Sequence, residues 1–383
     1  MRFSDALAAP GFGAIAEFKR RSPSAGDLRP DGDVAAVARA YESAGARAMS
    51  VLVDERFGGT INDLRAARAA TSLPLLAKGF FTTADQLREL REAGADAALL
   101  ILRDLDDAAA AALLDDAAQL GLDTLVEAHD ADELDRAGRL DAPVIGVNAR
   151  DLATFAIDRR EQLRLLASAP SGRVVIAESA IESRAQAAQA ELAGAHGVLI
   201  GSTLMRAADP GAKLRELVSC PLVKVCGLTR QEDVDVAVDA GADLVGFILA
   251  AESPRRTDTV LDAPPTVLRV AVLVGDQVDT DADLVQQYER ENGHRSRDAA
   301  LLYDGRHVGT VVDLPWLETD DTHFDRARAT AGRVMLAGGL DAGNVRSAID
   351  AVRPWAVDSA RSTETAAGIK DHDKVRAWVA AAR

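Results

Sequence analysis

AGADAALLI, residues 93–101, is the phrase that decides the fold. It reads as the end of a helix, a glycine that turns the chain, and a short apolar strand. AGARAMSVL (44–52) and AGAHGVLIG (193–201) repeat it. Working outward, apolar runs fall at roughly 14–18, 48–53, 73–77, 97–102, 122–126, 143–147, 173–177 and 197–200, with Ala/Leu/Arg/Glu segments of helical period between them. Strands alternating with amphipathic helices predict a parallel sheet. Eight such units within the first 219 residues is the arithmetic of a (β/α)8 barrel. An open doubly wound sheet is the runner-up, but no GxGxxG follows the first run.

A second series of βα units begins almost at once. Leu222 to Cys226 is apolar, and AGADLVGFIL (240–249) repeats the glycine-to-strand phrase. Further strands are predicted at 268–274, 299–303, 307–312, 333–337 and 355–357. The linker, Val218 to Pro221, is short, so the two domains are expected to be held close.

Composition narrows the function. The net charge of −16, from 44 basic and 60 acidic residues, argues against nucleic acid or an anionic membrane as partner, since both demand a basic footprint. An anionic substrate must then be held by local donors against the global field. No apolar run approaches bilayer-spanning length and the N-terminus lacks a signal-peptide layout, so a cytoplasmic protein is expected. Cys220 and Cys226 make neither a disulfide framework nor a zinc spacing. Only six of the basic residues are lysines: Lys19, Lys78, Lys213, Lys224, Lys370 and Lys374. A chain that uses arginine wherever charge suffices has a reason for each lysine, whose pKa burial can move into the working range.

In a barrel, chemistry sits where strands end and βα loops begin. In AIAEFKRRSPS (14–24), Glu17 and Lys19 share one face of a strand that breaks into the polar turn Ser22-Pro23-Ser24. The other strand ends carry Lys78, Glu127, Asn148 with Arg150, Glu178 with Ser179, and Gly201-Ser202. Charged groups ending apolar strands are costly unless paired or functional, and their convergence on one mouth favours function. Gly201-Ser202 and the turn after Glu178 are where barrels expose N–H groups to a phosphate. His129 and His196 are read as core or surface residues. In the second half the candidates are Cys226, Arg255, Asp313, Gly338-Gly339 and Asp358. A cysteine ending a strand at a barrel mouth is a candidate thiolate base.

These residues resemble two known families. EFKRRSPS (17–24), SVLVDERFGG (50–59), LLAKGFF (75–81), VEAH (126–129), IGVNARDL (145–152), AESAI (177–181) and LIGSTLM (199–205) resemble indole-3-glycerol-phosphate synthase. KVCGLTRQED (224–233), AGADLVGFI (240–248), SPRR (253–256), AGGL (337–340) and GIKDHD (368–373) resemble phosphoribosylanthranilate isomerase. The resemblance covers nearly the whole chain and implies an α/β protein of two tandem (β/α)8 TIM-type barrels, a synthase-like one over 1–219 and an isomerase-like one over 220–383. For the synthase it implies Lys19 and Lys78 flanking the substrate carbonyl, Glu127 as the complementary acid–base group, and Glu17 assisting dehydration. Asn148, Arg150, Glu178 and Ser179 would orient the anthranilate part, and Ser22, Gly201 and Ser202 would hold the phosphate. For the isomerase it implies Cys226 as general base, Asp313 as general acid, Arg255 on the anthranilate carboxylate, and Gly338, Gly339 and the turn after Asp358 at the phosphate. Phosphorylated anthranilate substrates are implied, with no metal or organic cofactor and a monomer.

The chain departs from both patterns. Gly79 stands where the synthase family has aspartate, and Ala180 where it has glycine. The N-terminal helix that covers the synthase mouth is expected to be missing or very short. Only nine residues separate Tyr303 from Asp313, where the isomerase family needs helix, strand and helix, so the second barrel is expected to be reduced by part of its middle. ETDDTH (318–323) is acidic in place of a phosphate loop, and SARSTE (359–364) replaces a serine-glycine turn. Two rival readings follow: a synthase with a non-catalytic C-terminal scaffold, and a non-enzymatic phosphate-ester binding protein.

Overall fold

Gly94 and Gly194, with φ of 100° and 112°, lie just past helices Ala84–Glu92 and Arg184–Leu192. The AGA phrase therefore turns the chain through the left-handed region that glycine enters without strain. The computed structural model describes residues 1–383 except 24, 151–155, 276–277 and 315–320, and the side chains of 321–323. Ser24, the end of IGVNARDL and the ETDDTH segment thus lie outside the described residues.

The described residues form two compact units, Met1–Glu182 with Ala187–Ser219, and Ser183–Gln186 with Cys220–Arg383. In the first, strands β1 (Gly13–Phe18), β2 (Ala48–Leu52), β3 (Leu75–Lys78), β4 (Ala97–Ile101), β5 (Asp123–Ala128), β6 (Val144–Asn148), β7 (Val174–Glu178) and β8 (Gly197–Ile200) close a barrel in sequence order. β1 pairs in parallel with both its neighbours, Ile15 with Ala48 and Gly13 with Gly197. The strands are buried on both faces, which is why they read as unbroken apolar runs. A helix is present at the N-terminus, Phe3–Ala8. Its Phe3 and Leu7 join Ile15, Leu76, Ala97 and Leu125 in the core, and Ser4 N–H donates to Asp123, the first residue of β5, at 2.9 Å. This helix closes the bottom of the barrel, the end opposite the mouth.

The second unit is a barrel reduced in its middle by helices and not by strands. Strands β9 (Leu222–Cys226), β10 (Leu244–Ile248), β11 (Leu268–Val274), β12 (Leu284–Glu291), β13 (His294–Tyr303), β14 (Arg306–Asp313), β15 (Arg333–Ala337) and β16 (Ala356–Ser359) close a complete ring of eight. What the chain has shed is crossover helices. β12 pairs antiparallel with β13, and β13 with β14, while every other neighbour is parallel. β13 alone runs against the barrel, so two hairpins replace two crossovers. Their turns are Asn292-Gly293 (φ 50° and 82°) and Asp304-Gly305 (φ 49° and 71°). Positive φ at both positions is the type I′ turn that suits a tight hairpin. Around the ring a core of Val225, Phe247, Leu336, Val357 and Trp378 is fully or almost fully buried. No helix among the described residues is long and apolar enough to cross a membrane.

Candidate active site

The mouth of the first barrel is assembled from six strand ends. Glu17, 2% exposed near the end of β1, points inward, and Lys19 Nζ lies 2.6 Å from its Oε1. The Tyr41 hydroxyl donates to the Glu17 carbonyl at 3.0 Å. Arg20 forks onto Asp63 at 2.8 and 2.9 Å and anchors the loop that follows. Ser22 is buried on the small ribbon that this loop forms with Gly26–Asp27.

Lys78, at the end of β3, reaches the centre of the mouth. Its Nζ stands 2.5 Å from Glu178 Oε2, 3.7 Å from Glu17 Oε2 and 3.7 Å from Glu127 Oε2. Burial pulls the Lys78 pKa down, but Glu178, Glu17 and Glu127 together raise it above the ordinary lysine value. Burial would raise Glu17, but Lys19 and Lys78 hold it below the usual carboxylate range. The other two glutamates are driven apart. Against burial, Lys78 and His129 keep Glu127 low, whereas burial and the Glu127 charge push Glu178 up despite Lys78. Two neighbouring carboxyls with opposed pKa shifts separate an anionic acceptor from a proton-bearing group.

Two glycines make room for this cluster. A Cβ on Gly146 of β6 would sit 2.0 Å from Glu178 Oε1, and one on Gly201 would sit 2.1 Å from Glu17 Oε1. Gln162 then ties β6 to β7, its Nε2 donating to the Val147 and Glu178 carbonyls at 2.8 and 2.6 Å. Gly146 and Gln162 escape sequence reasoning; the only signal for Gly146 is a glycine inside an otherwise apolar strand.

Above the cluster opens a cavity of about 370 Å³. Every first-barrel candidate lines it except Glu178, which is fully buried behind Lys78. The polar wall is Glu17, Lys19, Lys78 and Glu127, with Asn148 and Arg150 to one side and Ser22, Ser179, Gly201 and Ser202 around the rim. Asn148 Oδ1 accepts the Arg150 N–H at 3.0 Å. The apolar wall, not foreseen from sequence, includes Leu52, Phe57, Phe80, Leu99 and Ile181. A flat ring has an apolar slot here and reactive groups beneath it.

The two departures have visible partners. A Cβ on Gly79 would meet the Phe81 ring at 2.8 Å, so that ring occupies the space an aspartate would need. Ser179 and Ala180 carry φ of 68° and 54°, two side-chain-bearing residues in the left-handed region. Thr203 Oγ1 donates to the Ile181 carbonyl at 2.7 Å and joins this turn to the helix Ser202–Arg206.

The second barrel places its candidates at its own strand ends, with more of them committed to protein partners. Cys226 ends β9, and burial pushes its thiol up in spite of Lys224. Arg255 grips Glu364 with three contacts of 2.8 to 3.0 Å, and the fully buried Lys370 Nζ lies 3.1 Å from the same carboxylate. Asp358 pairs with the buried Lys224 at 3.1 Å inside the ring. In the turn after it, the Ser359 and Ser362 hydroxyls both donate to the Leu340 carbonyl, at 3.0 and 2.6 Å. Asp313 ends β14, and a Cβ on Gly338 would sit 2.3 Å from its Oδ1; Gly338 and Gly339 have φ of 102° and 87°. Reversal of β13 brings Arg295 to the mouth, where its Nη2 lies 2.9 Å from Asp313 Oδ2 and its guanidinium stacks on Tyr288 at 4.4 Å.

Comparison with known proteins finds a family likeness for each half of the chain. Residues 1–217 match the family model of indole-3-glycerol phosphate synthase, and residues 266–381 match that of N-(5'phosphoribosyl)anthranilate (PRA) isomerase. An indole-3-glycerol phosphate synthase of Mycobacterium avium is 47% identical over 223 residues, covering 56% of this chain and 82% of that protein. One of Leifsonia xyli is 50% identical over 214 residues, covering 55% and 82%. A solved phosphoribosyl anthranilate isomerase from Thermotoga maritima is 27% identical, with a TM-score of 0.34, covering 42% of this chain and 98% of that one. The chain belongs to the indole-3-glycerol phosphate synthase family over its N-terminal barrel and carries a phosphoribosylanthranilate isomerase family domain in its C-terminal one.

Proposed function

We propose that the N-terminal barrel converts 1-(2-carboxyphenylamino)-1-deoxyribulose 5-phosphate to indole-3-glycerol phosphate, and that the C-terminal barrel forms that substrate by isomerising N-(5-phosphoribosyl)anthranilate. The observation that carries the first part is the contact of Lys78 with Glu178, Glu17 and Glu127 on the floor of the cavity. A carbon–carbon bond forms between the ring carbon bearing the carboxylate and the ribulose carbonyl carbon. The carboxylate leaves as CO2, and the former carbonyl oxygen, protonated twice, leaves as water while the neighbouring amino-methylene carbon gives up a proton to form the new ring double bond. Lys78 is suited to protonate that oxygen as the ring carbon attacks, with Lys19 across the mouth as the second cation. Glu127, held anionic, is suited to accept a proton, and Glu17 beside Lys19 to assist the loss of water. Asn148, Arg150 and Ser179 face the anthranilate part, and Ser22, Gly201 and Ser202 the phosphate. Glu178 acts from behind, through Lys78.

In the second barrel Cys226 serves as general base and Asp313 as general acid. Arg255 reaches the anthranilate carboxylate only by loosening its grip on Glu364. We further take the protein to act as a monomer in the cytoplasm, without cofactor, nucleic acid or membrane. The net charge of −16 supports the exclusion of polyanionic partners, and sedimentation tests the monomer.

Paired assays on one preparation test the reading: indole-3-glycerol phosphate formation, and loss of phosphoribosylanthranilate. Both activities are expected. Lys78→Ala is expected to abolish the first and spare the second. Folded protein without synthase activity would refute the central claim, and synthase activity alone would leave the C-terminal barrel a scaffold.

A further inference from the structure

His129 follows β5 two residues beyond Glu127, and its side chain is only 2% exposed. Its Nδ1 lies 3.0 Å from Glu133 Oε2, and the same oxygen accepts the His129 backbone N–H at 2.8 Å. Glu133 belongs to the helix Ala131–Arg139, is capped there by Asp130, and lies 3.3 Å from Arg103 Nε. The opposite ring nitrogen, Nε2, lies 3.1 Å from Glu127 Oε1. Both nitrogens of one imidazole therefore face carboxylate oxygens. Nε2 meets Glu127 at ion-pair distance but outside hydrogen-bond geometry, and a neutral ring would still set a lone pair against one of the two carboxylates, so the arrangement favours the imidazolium.

We propose that His129 is a positioning residue for Glu127: held on Glu133 as an imidazolium, it fixes one oxygen of Glu127 and turns the other toward Lys78 and the cavity. The acids and bases around it are matched in pairs. Glu17, Glu127, Glu178 and Glu133 stand against Lys19, Lys78, His129 and Arg103, every one in an ion pair with a member of the other set. Without the imidazolium, Glu127 would share the single ammonium of Lys78 with Glu178 and Glu17, and its orientation would be free. The groups that face His129 or its partners are Glu127, Glu133 and Arg103, with Lys78 and Glu178 on the far side of Glu127. The two glutamates raise its pKa to about 9 against the opposing effect of burial.

The inference rests on the synthase reading, and the test separates the two. Wild-type turnover tests the reading, and the displacement of variants from wild type tests the inference. In Glu133→Gln the amide oxygen still accepts the His129 N–H, but one counter-charge of the imidazolium is gone. The alkaline limb of kcat is expected to move down by about one pH unit. In His129→Asn that limb is expected to vanish, with kcat down by about tenfold or more and KM changed by less than about threefold. The imidazole resonance of His129, followed by NMR in the wild-type protein, is expected to titrate near pH 9 and lower in Glu133→Gln, whether or not turnover is measured. If His129→Asn does not fold, Glu133→Gln and the titration decide. Folded variants with wild-type pH profiles, or a His129 that titrates at the ordinary value, would overturn the proposal.

Discussion

Glu178 touches Lys78 at 2.5 Å yet has no share in the cavity wall, being wholly buried behind it. Any influence of this acid on the cavity must therefore pass through the lysine. Charge in this cluster is a property of the group rather than of any one residue.

Replacing Lys78 by methionine leaves Glu17, Glu127 and Glu178 without their shared cation. Stability at neutral pH is expected to fall by about 3 kcal/mol, since an uncompensated buried charge remains. Glu17 and Glu127 are held below their ordinary values, so their stabilisation exists above the unfolded pKa of about 4.3 and is lost as pH falls through the lowered folded values. The deficit of Lys78→Met should therefore narrow in acid. Urea denaturation at neutral pH and near pH 4 checks this.

His129 works in the opposite direction. Its folded pKa of about 9 lies above its ordinary value, so its stabilisation is complete below about pH 6.5 and fades as pH rises toward 9. The melting temperature of the wild type should decline across that window more steeply than that of His129→Asn.

Gly146→Ala places a methyl group where Glu178 Oε1 now lies. The carboxylate must leave Lys78 or the strand must shift. A loss of about 2 kcal/mol and of most synthase activity is expected, against near-wild-type isomerase activity. Thermal unfolding and the two assays read this out.

Ala180→Gly should do the reverse. The residue sits at φ 54°, a conformation that costs a side-chain-bearing residue about 1–2 kcal/mol. Glycine removes that strain but adds disorder to the unfolded chain worth about 0.4–1 kcal/mol. A net gain of up to about 1.5 kcal/mol in denaturant unfolding is expected.

The first barrel was legible because its strands are apolar runs, most of them introduced by a glycine turn and most ended by a polar residue. Its mouth was legible for the same reason. The unequal fates of Glu127 and Glu178 were not, because they depend on burial and on Lys78, which comes from a distant strand, as well as on the neighbouring His129. In the second half the strands at 299–303 and 307–312 were legible, whereas Leu284–Glu291 and the antiparallel pairing of the three were not. The signals of that pairing were local: ENGH (291–294) and YDGR (303–306) each set a two-residue turn between alternating strands. The commitment of Arg255 to Glu364 had no sequence signal, since nothing in SPRR or SARSTE points one toward the other.

The reversal of β13 also changes how its barrel can come to exist. A parallel pair must wait for a crossover to fold and dock, whereas the turns at Asn292-Gly293 and Asp304-Gly305 join partners adjacent in the chain. Hairpins close in about 1–10 μs, and low sequence separation lowers the entropy of pairing. The wall from Leu284 to Asp313 is thus a self-templating meander within a ring of otherwise distant pairings. Pulse-labelled hydrogen exchange during refolding should find its amides protected before those of β9 and β16, whose pairing joins the two ends of the domain.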